Sequence, residues 1–237
     1  MTTGIDVVIP VHNGAHLVTR AVESVISQHG RWDLRIYLVD DGSTDDSPAA
    51  LRTLQARFPG ITILSNPSSR GVAAARNRAV AESRSSLVAF LDQDDEWVPR
   101  KLELQVALFD ADAGLMYSVG LQRFVLQAGH TRPSWCRPEW LEKPQAGFTP
   151  SNLLVRRAAW NIVGPLDETI RGGADDFDWF ARAREKKVPF AAVPEVLVNR
   201  YVHSDNRSSD VINGNKGLLE AVRKKLMSKE GRHGDPH

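Results

Sequence analysis

Along its first hundred residues the chain alternates short apolar runs with stretches whose apolar positions recur at helical spacing. Ile5-Asp6-Val7-Val8-Ile9 predicts a strand whose ladder ends at Pro10, which has no N–H to donate. His12-Asn13-Gly14 follows as a turn. Leu17, Ala21, Val22, Val25 and Ile26 predict an amphipathic helix over about residues 15–28. Residues 34–39 form a second β-rich run, broken by Asp40-Asp41-Gly42-Ser43-Thr44. Asp46 or Ser47 is placed to cap the next helix, which carries Leu51, Leu54 and Phe58. Residues 61–64 read as a third strand, and Gly71 opens an Ala-rich helix. Leu87-Val88-Ala89-Phe90-Leu91 is a fourth strand, apolar throughout, as burial on both faces requires, and too short for an ordinary helix.

Strands alternating with helices over ninety residues predict an α/β fold with a Rossmann-like, doubly wound, mostly parallel sheet. Ligands of such sheets bind outside the carboxyl ends of the strands. The polar clusters His12-Asn13, Asp40-Asp41 and Asp92-Gln93-Asp94-Asp95 all fall at those ends, so they should converge on one site.

Farther along, Leu102, Val106 and Phe109 predict a helix beginning near Trp97 and Pro99, with Asp95 as a candidate cap. Residues 115–125 read as one or two strands. Residues 127–150, rich in Pro and Trp, read as a long loop with aromatic anchors, a substrate lid rather than core. A strand at 153–155, helices at 157–163 and 176–185, a strand at 193–201 and a basic amphipathic helix near 215–229 complete the pattern. Neither a repeat nor a low-complexity linker marks a boundary, so the 237 residues are expected to form one domain.

Composition narrows the classes. With 30 Lys plus Arg against 29 Asp plus Glu, the net charge is about +1, and no global basic field suggests nucleic acid. The single Cys136 cannot form an internal disulfide, and a reducing, cytoplasmic setting is expected. It has no His partner in sequence and is a poor nucleophile candidate. The sequence shows no basic, apolar leader and no long apolar span, so neither signal peptide nor membrane anchor is expected.

The acid cluster carries the chemistry. Asp92, Asp94 and Asp95 repel one another unless a cation lies among them. Hard oxygen ligands favour Mg²⁺ or Mn²⁺, commonly shared with a phosphate-bearing substrate.

In chain order, Ile9-Pro10-Val11-His12-Asn13-Gly14, Val39-Asp40-Asp41-Gly42-Ser43-Thr44-Asp45, Arg70-Gly71 with Ala75-Arg76-Asn77, and Phe90-Leu91-Asp92-Gln93-Asp94-Asp95-Glu96-Trp97 resemble successive blocks of family 2 glycosyltransferases. Val163-Gly164-Pro165-Leu166-Asp167-Glu168 is similar to the acceptor-side block, and Gly173-Ala174-Asp175-Asp176-Phe177-Asp178-Trp179 to the Glu-Asp-x-Asp motif. The resemblance spans about residues 4–203. It implies a GT-A fold, with a nucleotide-sugar-binding half at about 1–97, an acceptor-binding half at about 98–210, and a basic helix and tail at 211–237. It further implies a nucleotide-sugar donor, usually a UDP-sugar, transfer with inversion to an acceptor hydroxyl, and Mn²⁺ or Mg²⁺.

Carried over by position, the resemblance implies that Pro10, His12 and Asn13 frame the nucleobase, although the family more often has an aromatic where His12 stands. Asp41 would accept the imide N–H of uracil, its plainer alternative being a capping turn. Arg76 matches the donor-site arginine, and Gln93 falls in the donor block. Asp92 would take the ribose hydroxyls and Asp94 the metal, while Asp95 stands behind them or caps a helix. Asp176 matches the general base, with Asp175 where the family commonly has Glu. His203 falls where many members place a His near metal or diphosphate, and Arg207 could steady phosphate. Trp97 and Trp179 read as packing residues, each with a face that could stack on a sugar.

The acceptor is expected to be a glycan, a lipid-linked or a small molecule, and the terminal helix leaves peripheral contact with acidic lipid at the inner face of a membrane open. One rival is a nucleotidyltransferase, which should show a Gly-rich phosphate loop bearing Lys or Arg after the first strand, where this chain has His12-Asn13-Gly14-Ala15-His16. Another is a non-catalytic nucleotide-sugar-binding module, which should lack the base.

Overall fold

The computed structural model describes residues 3–170, 174–203 and 206. In chain order the elements are β1 (Thr3–Val11), α1 (Val18–Ile26), β2 (Trp32–Asp41), α2 (Ser47–Arg57), β3 (Ile61–Asn66), α3 (Val72–Glu82) and β4 (Leu87–Phe90). They continue with β5 (Glu96–Trp97), α4 (Lys101–Ala111), β6 (Tyr117–Leu126), α5 (Pro138–Glu142), β7 (Gln145–Ala146) and a 3₁₀ turn (Pro150–Asn152). Then come β8 (Leu154–Arg156), α6 (Arg157–Val163), α7 (Asp175–Glu185) and β9 (Phe190–Val202).

Among these residues one sheet runs β3-β2-β1-β4-β8-β6-β9-β5, with β7 attached to β6. β1 pairs in parallel with β2 and β4, and β2 with β3. The four carboxyl ends therefore share one edge, as the alternating pattern requires. The other half is more mixed than expected: β8 runs antiparallel to β4 and β6, β5 antiparallel to β9, and β6 parallel to β9.

Period-2 alternation distributes the apolar runs over both faces. Ile5, Val7, Ile9, Leu87 and Ala89 pack under α1, α2 and α4 through Val22, Leu51 and Leu102. Val8, Val39, Val88 and Phe90 pack under α3, α6 and α7 through Ala75, Trp160 and Trp179. Asp6, fully buried inside β1, accepts the N–H groups of Arg84 (2.5 Å) and Ser85 (2.7 Å) and the Ser85 hydroxyl (2.7 Å), with Arg157 at 3.6 Å. A buried carboxylate so supplied fixes the turn between α3 and β4 and hence the register of the acid-bearing strand end.

Several expectations change. Asp95 caps no helix: α4 starts at Lys101, after Pro99, and residues 96–97 pair with β9 as β5. Asp46 holds the N-cap position of α2 without a side-chain bond, and Ser47 is the first helical residue. Asp45 accepts the Ser47 N–H instead, at 2.9 Å. Residues 127–150 do not form a free lid. Cys136, Trp135, Trp140 and Leu141 pack with Phe124 of β6 and Val202 of β9 in a small core of their own. No described helix is long and apolar enough to cross a membrane. The basic helix expected near 215–229, the tail and Arg207 lie outside the described residues.

Candidate active site

The strand ends converge as expected. A cleft of about 540 Å³ is lined by Pro10, His12 and Asn13 from β1 and its loop, Asp41 from β2, and Arg76 from α3. Asp92, Gln93, Asp94 and Asp95 line it beyond β4, Asp175 and Asp176 line it from α7, and Arg200, His203 and Asn206 line it from β9 and beyond.

The loop after β1 is tied down through its own N–H groups. His12 N–H donates to Gln93 Oε1 (2.9 Å), Asn13 N–H to Ser43 Oγ (3.1 Å), Gly14 N–H to Ser47 Oγ (2.9 Å) and Ala15 N–H to Asp45 (3.2 Å). Gln93 Nε2 returns a bond to His12 O at 3.2 Å, so this side chain pairs like a strand with residue 12. His12 Nδ1 lies 2.9 Å from the Asp41 carbonyl, which can only accept, so Nδ1 carries the proton. Asn13 Nδ2 can then donate to the free Nε2 at 3.4 Å, while its Oδ1 accepts the Thr44 N–H at 2.8 Å.

Asp41 is buried, and its carboxylate accepts from Asn66 Nδ2 (2.6 Å), Ser69 Oγ (2.8 Å) and the N–H groups of Arg70 (2.9 Å) and Gly71 (2.8 Å). Burial alone would raise its pKa, but the Arg70 N–H, the Asn66 amide and the other donors outweigh burial and hold it below the usual value. The carboxylate therefore shapes the Ser69–Gly71 wall of the cleft, as a capping turn would. Ser69 was not anticipated.

At the centre, Arg76 is buried and joins the halves: its guanidinium pairs with Asp92 and, at 3.2 Å, with Asp175. Its Nε is buried without a partner. One carboxylate oxygen from each of Asp92, Asp94 and Asp95 lies within 4.8 Å of the others. Burial and then the Asp94 charge push Asp95 well above the usual carboxylate range. Asp94 goes the other way: burial would raise it, but bonds from His203 and Asn206 and the Arg200 charge hold it low. His203 Nε2 lies 3.3 Å, and Asn206 Nδ2 2.9 Å, from Asp94 Oδ2. Three crowded carboxylates, one unwilling to ionise, form an oxygen-rich set that suits a divalent cation.

Sequence reasoning missed Ser151. Its hydroxyl donates to Asp95 Oδ2 (2.7 Å) and accepts the Asp92 N–H (3.1 Å), so this one residue of the 3₁₀ turn sets the acid loop. Asn206 and Arg200 were missed too, although the spacing His203-x-x-Asn206 was a usable signal. Trp97 lies beneath the site, buried, donating to Ser151 O at 2.9 Å. Trp179 is buried and stacked on Trp160 with centroids 5.6 Å apart. Both are packed in the interior beside the site.

Asp176 heads α7. Burial, then the adjacent Asp175, raise its pKa to about 7 against the pull of Arg76. It opens to the cleft, and its Oδ1 accepts the Phe177 N–H at 2.6 Å. A carboxylate poised at neutral pH in a cleft is what proton abstraction requires.

Residues 6–159 match the family model described as glycosyl transferase family 2. The chain belongs to that family. It is 28% identical to chondroitin synthase from Escherichia coli over 211 residues, covering 86% of this chain and 30% of the relative. It thus spans less than a third of the length of the first curated relatives it matches. Two solved structures share the fold. S. aureus TarS 1–349 in complex with UDP-GlcNAc superposes with TM-score 0.74 at 17% identity, covering 100% of this chain and 68% of that one. The mannosyltransferase PcManGT from Pyrobaculum calidifontis, in complex with GDP-Man and Mn²⁺, gives 0.73 at 19%, covering 100% and 66%. The fold of this chain is GT-A.

Proposed function

We propose that this family 2 chain is a divalent-metal-dependent, inverting glycosyltransferase that moves a sugar from a nucleotide diphosphate, a UDP-sugar by preference, to an acceptor hydroxyl. The observation that carries the reading is the meeting, in one cleft, of the Asp92–Asp94–Asp95 cluster with Asp176, a carboxylate raised to about 7. The complexes of the two structural neighbours, one with UDP-GlcNAc and the other with GDP-Man and Mn²⁺, support the donor class.

In this reading Pro10, His12, Asn13 and Asp41 border the nucleobase, Asp41 by shaping the Ser69–Gly71 wall. Asp92 and Gln93 face the ribose, and Arg76 holds Asp92 while offsetting its charge. Asp94, with Asp92, Asp95 and His203 around it, would hold Mn²⁺ or Mg²⁺, which when bound supplies positive charge to the departing diphosphate. Arg200 adds fixed positive charge to the same cleft. Asp176 takes the proton of the acceptor hydroxyl as its oxygen bonds to the anomeric carbon and the bond from that carbon to the diphosphate oxygen breaks. Asp175 keeps Asp176 basic and anchors Arg76. Arg207, on the segment after His203, is assigned to phosphate by position only.

The continuous sheet through both halves favours one domain, and the buried free Cys136 suits a cytoplasmic setting. A glycan, lipid-linked or small-molecule acceptor would enter from the side of α7. The nucleotidyltransferase rival is disfavoured because the N–H groups of residues 12–15, which would have to cradle phosphate, are bonded to side chains. A panel of UDP-, GDP- and dTDP-sugars with Mn²⁺, read by thermal shift, tests the donor. A rise in Tm largest for UDP-sugars supports the reading, and no rise with any of them overturns it.

A further inference from the structure

Outside the residues already assigned, one side chain closes a ring around Asp94. Arg20 projects from α1, half-buried, and its Nη2 donates to the Asp94 carbonyl at 2.7 Å. The same guanidinium lies over the Tyr201 ring of β9, its carbon 3.6 Å from the centroid. Asn206 Nδ2 bonds both the Tyr201 carbonyl (3.1 Å) and Asp94 Oδ2 (2.9 Å). The path from Arg20 to Asp94, Asn206, Tyr201 and back is thus closed. The Tyr201 hydroxyl is held in turn by Glu96 at 2.7 Å.

We infer that Arg20 is a positioning residue for the metal-binding carboxylate: it clamps the main chain of Asp94 to the end of β9 that delivers His203 and Asn206. The inference rests on the reading of Asp94 as a metal ligand. A planar guanidinium can present an N–H edge to a carbonyl while its face covers an aromatic ring, which an ammonium cannot. The ring matters because Asp94 and the β9 end are more than a hundred residues apart in sequence. The Arg20 bond and its stack on Tyr201 add a tie from the α1 side to those made by the ligand side chains and by the pairing of β5 with β9. Groups that orient a ligand commonly alter metal affinity by 10–100-fold when removed.

The test is Mn²⁺ binding by the full chain, with UDP present and no acceptor, followed through the electron paramagnetic resonance signal of free Mn²⁺. Arg20→Met and Arg20→Lys are expected to weaken Mn²⁺ binding by at least about tenfold. Tyr201→Leu should match them, and Tyr201→Phe, which keeps the face, should stay within about threefold of the parent. The Arg20→Met/Tyr201→Leu double variant should be no weaker than either single one, because both break the same ring. Melting temperatures of Arg20→Lys and Tyr201→Phe control for folding. Parent-like Mn²⁺ affinity in folded Arg20→Met or Arg20→Lys, or additive losses in the double variant, overturns the inference. Failure of the parent protein itself to bind Mn²⁺ with UDP would instead overturn the metal reading beneath it.

Discussion

Asp176→Asn tests the proton-transfer role proposed for this carboxylate. The change is isosteric, and the amide oxygen can still accept the Phe177 N–H that Oδ1 takes at 2.6 Å, so the head of α7 should stay in place. What is lost is basicity. With a pKa of about 7, raised by burial and then by Asp175, the parent carboxylate is roughly a tenth ionised at pH 6 and nine-tenths at pH 8. The kcat/KM for UDP release from a UDP-sugar should therefore rise about tenfold between those values and level off above. The variant should be about 10²–10⁴-fold slower, roughly 3–5 kcal/mol of barrier, with no such rise. Its UDP and Mn²⁺ affinities should stay within about threefold of the parent's. Stability gives an independent reading. The folded-state pKa lies above the ordinary value of 3.8, so ionising Asp176 costs the fold stability progressively as pH rises from about 4 to about 7. Asp176→Asn should accordingly melt higher than the parent at pH 8 and level with it near pH 4. Retention of more than a tenth of parental turnover, or a flat parental profile from pH 6 to 8, would refute the assignment.

Other changes probe the site's supports. Ser151→Ala removes a bond to Asp95 and one to the Asp92 N–H, and should weaken Mn²⁺ binding by about tenfold in calorimetry. Asp41→Asn should cost about 2 kcal/mol at pH 7 in urea unfolding, because donors that surround the carboxylate lose their acceptor. Its folded pKa lies below the ordinary value, so this stability is present above pH 3.8 and lost as pH falls through the folded pKa. The difference from the parent should thus shrink toward pH 3. Gly42→Ala should cost about 2 kcal/mol or more in the same assay. Its φ is +68°, and a Cβ there would sit 2.5 Å from the backbone of Ser68 and Ser69, pushing back the wall that Asp41 holds.

Local pattern exposed the nucleotide-side half well, because there each strand is a buried apolar run and each helix an amphipathic one. The convergence of His12, Asp41 and Asp92–Asp95 followed from parallel pairing alone. Pattern failed where long-range contacts decide. Glu96 and Trp97 became a strand because β9, a hundred residues on, supplies the partner. Asp95 therefore turned inward to Ser151 rather than toward a helix, and Pro99 delayed α4 to Lys101. Residues 127–150 looked like a lid because their Trp and Pro content lacks a period, yet Trp135 and Trp140 face a core around Phe124 that only the fold creates. Ser151 carries no motif of its own, and Asn206 only its spacing from His203. Their roles exist only once the 3₁₀ turn and the β9 end lie against the acid loop.

The Asp92–Asp95 strand end is proposed to bind a nucleoside diphosphate together with a divalent cation. Isothermal titration of UDP into the full chain, with Mn²⁺ and then with EDTA, tests it most directly when run beside Asp94→Asn. UDP is expected to bind saturably with Mn²⁺, and at least about tenfold more weakly in EDTA and in Asp94→Asn. Equal UDP affinity with and without the metal, or no UDP binding in either condition, would contradict it.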